Sequence, residues 1–181
     1  GGASNAMRKL CHDDRPRVIE ALMYHRVLIP EGRSEYEWFR LLDERLASGK
    51  QEADPRFLGI PSFGTVIGVV PTHESAVMET YNTLRHLRGG IVPLLDGDGA
   101  GNTKIDELLA STPCPDVILQ WRDDWTIEDA IGWILYGAEG DVLGELQRRL
   151  DSQFTDIDAL ITLFKIKTGP GRLKTNYLAF E

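Results

Sequence analysis

Four short runs of apolar residues, separated by stretches of helical periodicity, constrain this chain more than any other feature. "RVLI" (26–29), "GTVIGVVP" (64–71), "IVPLL" (91–95) and "DVILQW" (116–121) are apolar almost throughout instead of alternating with polar residues. A strand of that kind has to be covered on both faces, which is the environment of a parallel sheet sandwiched by helices. The intervening segments supply the helices. Ser34 reads as the N-cap of "EYEWFRLLDERLASG", with Glu37 three residues on completing a capping box. "HESAVMETYNTLRHLRGG" ends on two glycines, "NTKIDELLAST" follows the third run, and Thr126 caps "TIEDAIGWILYG".

The expected fold is therefore α/β, a Rossmann-like parallel sheet with helices on both faces, over residues 25–138. "PRVIEALMY" (16–24) reads as part of a lead-in helix within residues 7–24, with Pro16 tolerable in a first turn. Residues 139–181 read as a C-terminal helical extension through "DVLGELQRRLDSQF" and "DIDALITLFKIK", ending in a "TGPGRLK" break. Gly-Gly-Ala-Ser-Asn-Ala ahead of Met7 looks like an expression-tag remnant and is set aside. The prolines Pro30 and Pro93 point to irregular strands or to pairing at a sheet edge.

Composition removes some classes of function. No segment approaches the ~20 apolar residues that cross a bilayer, and charged residues break up any signal-like run near Met7. Cys11 and Cys114 are too few for a disulfide framework and too isolated for a zinc site, so a reducing cytoplasm is the expected setting. A net charge of −8 argues against gripping nucleic acid through general positive potential. It leaves room for an acidic pocket neutralised by divalent cations.

The acids are placed where such a pocket would form. In an open parallel sheet, ligands bind beyond the carboxyl ends of the strands. Glu31 follows the first run, Asp96 and Asp98 follow the third, and Glu128 and Asp129 lie just past the fourth. Bringing those charges together is costly unless a cation joins them.

Several readings of "LLDGDGAGNTKIDE" remain open at this level. Asp96, Asp98, Gly101 and Glu107 match an EF-hand calcium loop, but Ala100 and Thr103 break the pattern and a strand precedes it where a helix is needed. An Asp-x-Asp-Gly loop after a strand is similar to the nucleophile loop of haloacid dehalogenase phosphatases. Ala100 stands there in place of threonine, and "VLIPEGRSE" is left without a role. Alternatively the two aspartates cap a turn.

Taken together, "RVLIPEGRSEYEWFRLL" resembles the first motif of TOPRIM domains, and "IVPLLDGDGAG" resembles their Asp-x-Asp motif. Within that superfamily, "EALMYHRVLIPEG" and "TIEDAIGWIL" are similar to segments of the OLD (overcoming lysogenization defect) nucleases, so that the resemblance spans about residues 17–136. It implies a TOPRIM-type domain acting as a Mg²⁺- or Mn²⁺-dependent endonuclease on DNA, with two ions per site. Glu31, Glu35, Asp96, Asp98 and Glu128 are the implied metal ligands, with Asp129 a further candidate that reads equally as a first-turn acid favoured by the helix dipole. Glu31, Asp96 and Asp98, with a late lysine, would be catalytic. "FKIKTGPGRLKTNY" offers Lys165, Lys167 and Lys174, of which Lys174 is the preferred choice. Arg33, Arg122 and Lys174 are candidates for contact with nucleic acid. His73, at the same edge, reads as a surface histidine for want of a visible partner.

OLD proteins carry an ATPase domain ahead of the TOPRIM domain, and no Gly-x-x-x-x-Gly-Lys-Ser/Thr loop is present here. The expectation is an excised C-terminal portion, partnered by an ATPase domain of the same polypeptide, or a stand-alone relative. A homodimer is left open, and a membrane is not an expected partner. The alternatives are a non-catalytic nucleic-acid or protein-binding module, or a TOPRIM enzyme that acts on RNA.

Overall fold

The computed structural model describes residues 4–47, 63–73, 76–137, 142–150 and 154–165. In chain order the elements are α1 (Asn5–His12), α2 (Arg15–Leu22), β1 (Arg26–Pro30), α3 (Arg33–Ala47), a 3-10 turn (Phe63–Thr65), β2 (Ile67–Val69), α4 (Val77–Leu84), β3 (Ile91–Leu95), α5 (Gly99–Leu109), β4 (Leu119–Gln120), α6 (Ile127–Tyr136), α7 (Val142–Leu150) and α8 (Ile157–Lys165). The strands form one sheet in the order β2-β1-β3-β4, and every pairing is parallel. The α/β architecture expected from the apolar runs is thus the one observed.

Both faces of the central strands are covered. Val27, Ile29, Ile91 and Leu95 join Met7 and Leu10 of α1, Ala21 of α2, Val77, Tyr81 and Leu84 of α4 and Leu108 of α5 in the main core. Helix α3 packs against β1, and its Trp38 and Leu41 meet Ile127 and Ile131 of α6 in a second cluster. Each fully buried aliphatic side chain such as Ile29 or Leu95 contributes about 1.5–3 kcal/mol. The C-terminal helices hold a third cluster, centred on Leu146, Leu160 and Phe164. α8 reaches α6 at Gly132, where a Cβ would stand 2.8 Å from Ile161 Cγ1.

The prolines are not at a sheet edge. Pro93 of β3 is in register with Ile29, and Pro30 of β1 with Leu94, so both lie in the two central strands. Hydrogen bonding in a parallel ladder alternates sides residue by residue. Val27 N donates to Gly90 O and Val70 N to Leu28 O, so an N–H at position 30 would point toward β2. There the carbonyl of Val70 already accepts from Thr72 N at 2.8 Å, as the chain turns out of the sheet. Trp121 N donates to Leu95 O, so position 93 likewise faces the strand beyond. β4 begins only at Leu119, past the point where Pro93 would have needed a donor. Each missing donor falls where the neighbouring strand is absent.

Other boundaries shift for local reasons. The strand expected over 64–71 contracts to Ile67–Val69 because the 3-10 turn takes its start. The run 116–121 yields only two paired residues. Ser34 is not the N-cap of α3, which already includes Arg33; Glu37 pairs with Arg33, and it is Glu35 that accepts from Gly32 N at 3.1 Å. α5 starts at Gly99 instead of Asn102, with Asp98 as its N-cap. The lead-in is two helices, and the residues set aside as a tag contribute to the first, which Ser4 caps through Met7 N at 3.1 Å. No helix among the described residues is long and apolar enough to cross a membrane.

Candidate metal centre

Glu31 leaves the carboxyl end of β1, and the register of β1 with β3 brings it beside the residue that leaves β3. The backbone N–H of Asp96 donates to Glu31 Oε2 at 2.9 Å. The other oxygen, Oε1, takes an ion pair from Lys104 Nζ on α5. Glu31 is buried despite its charge. Two acids far apart in the chain therefore meet at one rim, as the strand-end argument required.

The loop that carries Asp96 is held by close backbone packing. A Cβ at Gly97 would stand 1.9 Å from Arg122 O, and one at Gly101 would stand 2.0 Å from Asp96 O. Gly97 N donates to Trp125 O at 2.7 Å and Asp124 N to Gly97 O at 2.9 Å, tying the loop to the segment before α6. Asp98 turns back to accept from Gly101 N at 2.8 Å, which satisfies one of the free donors of α5. The turn-capping reading thus describes Asp98 and leaves Asp96 unexplained.

Asp96 has a different environment. Its Oδ1 is buried and accepts no hydrogen bond. Burial, then the negative charges of Glu35, Glu31, Glu128 and Asp98, push its carboxyl up to about 7. These four neighbours are the other implied ligands. Glu35 and Glu128 are themselves buried, and Glu128 Oε2 accepts from Thr126 Oγ1 at 2.7 Å.

Asp129, the sixth expected ligand, is committed elsewhere. Its Oδ2 accepts from Thr126 N at 2.8 Å, closing the N-terminal turn of α6, and its Oδ1 pairs with Lys165 Nζ at 2.6 Å. Burial works against its charge, but the Lys165 ammonium and the Thr126 donors outweigh it and hold the carboxyl below its usual range. It is not among the acids that act on Asp96. Lys165 is thereby accounted for, while Lys167 and Lys174 lie outside the described residues.

The donor set suits a hard divalent cation: carboxylate oxygens only, partly dehydrated, with the buried Asp96 Oδ1 lacking any donor. The ligand sphere itself is not assembled. Among the described residues no three His, Cys, Asp or Glu side chains stand close enough to hold one ion. Glu31, Glu35 and Asp98 each accept a backbone N–H instead, and Lys104 supplies the positive charge. Loading an ion would require side-chain rotations and the release of Glu31 by Lys104.

The expected nucleic-acid contacts are differently placed. Arg33 is engaged with Glu37 at 2.6 Å and Asp14 at 3.2 Å, with its guanidinium 4.8 Å over the Tyr36 ring. Arg122 is exposed beside the Asp96 loop, its guanidinium 5.5 Å over Trp125. His73 has the partner that the sequence did not reveal: its Nε2 lies 2.6 Å from Asp14 Oδ2. Lys104 was missed as well. It shares a helix face with the buried Gly101 and Leu108, a spacing of three and four residues that was legible once the helix start was known.

No protein-family model matches the chain, and no curated protein or solved structure matches it either.

Proposed function

We propose that this chain is a TOPRIM-type nuclease domain of the OLD kind, which hydrolyses DNA phosphodiester bonds with two bound Mg²⁺ or Mn²⁺ ions. The observation that carries the reading is the convergence on Asp96: Glu31 binds its backbone, and Glu35, Asp98 and Glu128 press on a buried carboxyl with one unsatisfied oxygen. Like charges are rarely gathered around such a group without a cation to join them. Bound divalent ions would supply an activated water and stabilise charge on the scissile phosphate and leaving oxygen.

The residues of the chain do the holding and orienting. Glu31 and Asp96, at the ends of adjacent central strands, would form the core of the ligand set, and Glu35, Asp98 and Glu128 would complete it from three helix starts. Lys104, which pairs with Glu31 at this rim, would offer its ammonium to the scissile phosphate once an ion took its place. Arg122 offers a donor to the DNA backbone near the same loop.

A second reading is a binding module without catalysis. The Lys104–Glu31 ion pair favours it, because it neutralises part of the acidic cluster without an ion. Supercoiled plasmid incubated with Mg²⁺, Mn²⁺ or EDTA separates the two. Metal-dependent nicking that disappears in Glu31→Ala supports the nuclease. No nicking at any metal concentration, or equal nicking by the variant, removes it. A marked preference for structured RNA over plasmid would redirect the substrate assignment.

A further inference from the structure

The C-terminal extension reaches the candidate site through a chain of short contacts. Lys165, the last residue of α8, holds Asp129 Oδ1 at 2.6 Å. Asp129 Oδ2 accepts from Thr126 N at 2.8 Å and lies 3.0 Å from Thr126 Oγ1. The same hydroxyl lies 2.7 Å from Oε2 of Glu128, which is buried. Glu128 is in turn one of the acids whose charge acts on Asp96. A helix outside the sheet is thereby joined, contact by contact, to the implied ligand set.

The position of Lys165 is set by packing. α8 runs antiparallel to α6 and meets it at both ends and in the middle. Tyr136, at the end of α6, hydrogen-bonds Asp158 in the first turn of α8. Midway, Ile161 closes on Gly132, where the lack of a Cβ lets the helices approach. At the far end Lys165 meets Asp129 in the first turn of α6. As many residues separate Asp129 from Tyr136 as Asp158 from Lys165, so two helices of equal rise stay in step. Leu160, Ile161 and Phe164 are buried, which anchors α8 in that register.

The Thr126 hydroxyl carries one proton, and two carboxylates lie within reach of it. Both are acceptors only when ionised, so they compete. Asp129 has two other donors, the Lys165 ammonium and Thr126 N, while Glu128 is the acid nearer to the hydroxyl. An outer hydrogen bond of this kind orients a ligating carboxylate. We propose that Lys165 is a positioning residue for ion binding: by holding Asp129 it leaves the Thr126 hydroxyl to Glu128 and so fixes Glu128 in the ligand set. This inference rests on the nuclease reading above. Without Lys165, the Asp129 carboxylate competes for the hydroxyl, and Glu128 loses its fixed orientation. The direct field of the ammonium acts the other way. A positive charge near a cation site repels the cation, so its removal alone would strengthen binding.

The sign of the effect provides the test. Mn²⁺ uptake is measured on the full chain without DNA, from the electron paramagnetic resonance signal of free Mn²⁺. Lys165→Met is predicted to weaken Mn²⁺ binding about tenfold. Lys165→Arg, which keeps a cation opposite Asp129, should bind as wild type does. In Asp129→Asn, where no charged competitor for the hydroxyl remains, adding Lys165→Met should make no further difference. Lys165→Ala carries the comparison if Lys165→Met lacks a cooperative melt. Unchanged or tighter binding in Lys165→Met, or an equal loss in the Asp129→Asn background, overturns the assignment while leaving the nuclease reading intact. If wild type takes up no Mn²⁺, the nuclease reading itself fails and takes this inference with it.

Discussion

The two aspartates of "DGDG" have unequal roles, and the difference is set by the surroundings of each carboxylate. Asp98 finds the N–H of Gly101; Asp96 finds burial and four other carboxylates. This division was not legible in the sequence, because it depends on where α5 begins. Gly99, Ala100 and Gly101 are a weak helix start by intrinsic propensity. Only the approach of Gly101 to the Asp96 carbonyl requires glycine there. The raised Asp96 carboxyl makes a prediction with a definite sign. Its folded form holds a proton that the unfolded chain gives up near 3.8, so the metal-free protein loses stability as pH rises from about 4 to about 7. Asp14 and Asp129, whose carboxyls are shifted down, act only at lower pH. Urea denaturation in EDTA at pH 5 and pH 8 should show the decline, and Asp96→Asn should flatten it. An identical pH profile in the variant would assign the trend to other groups. Lys104→Met removes the positive partner of a buried glutamate and should cost about 2–4 kcal/mol in EDTA. Added Mg²⁺ should recover more of that loss than it adds to wild type, read as the shift in melting temperature.

Elements were more legible than their ends. The centres of β1, β3, α3, α6 and α8 were visible as apolar runs or helical periodicity, since those signals reflect which face is buried. β2 was overestimated because an apolar run says nothing about whether a neighbour is present to pair with, and the run 116–121, expected to be covered on both faces, is a largely exposed edge with Val117 and Leu119 open to solvent. Pro30 and Pro93 illustrate the same point: they were read as signs of irregular strands or of edge pairing, and they lie centrally where the adjoining strand has ended or not yet begun. The α5 start is the element on which the site depends most. Gly101→Ala should destabilise the fold by about 3 kcal/mol or more, because its Cβ has no room against backbone. It should also weaken the Mn²⁺ response, although no ligand has changed. A variant with normal stability in urea would show that the loop gives way at little cost.

At the scale of the whole molecule, the alternation of buried runs and helices implied a parallel sheet but not its strand order. The order β2-β1-β3-β4 matters because it makes β1 and β3 neighbours, and so places Glu31 against Asp96. The Asp14–His73 pair was invisible to sequence reading because the partner lies 59 residues away in a turn outside the sheet. The central claim is that the carboxylates at this rim share divalent ions. Crystals soaked in Mn²⁺ and measured at its absorption edge test it most directly. The account predicts two anomalous peaks about 3.5–4 Å apart, ligated by Glu31, Glu35, Asp96, Asp98 and Glu128, with Lys104 turned away from Glu31. Fully soaked crystals with no peak at the Asp96 carboxylate, and the Lys104–Glu31 ion pair unbroken, would contradict it.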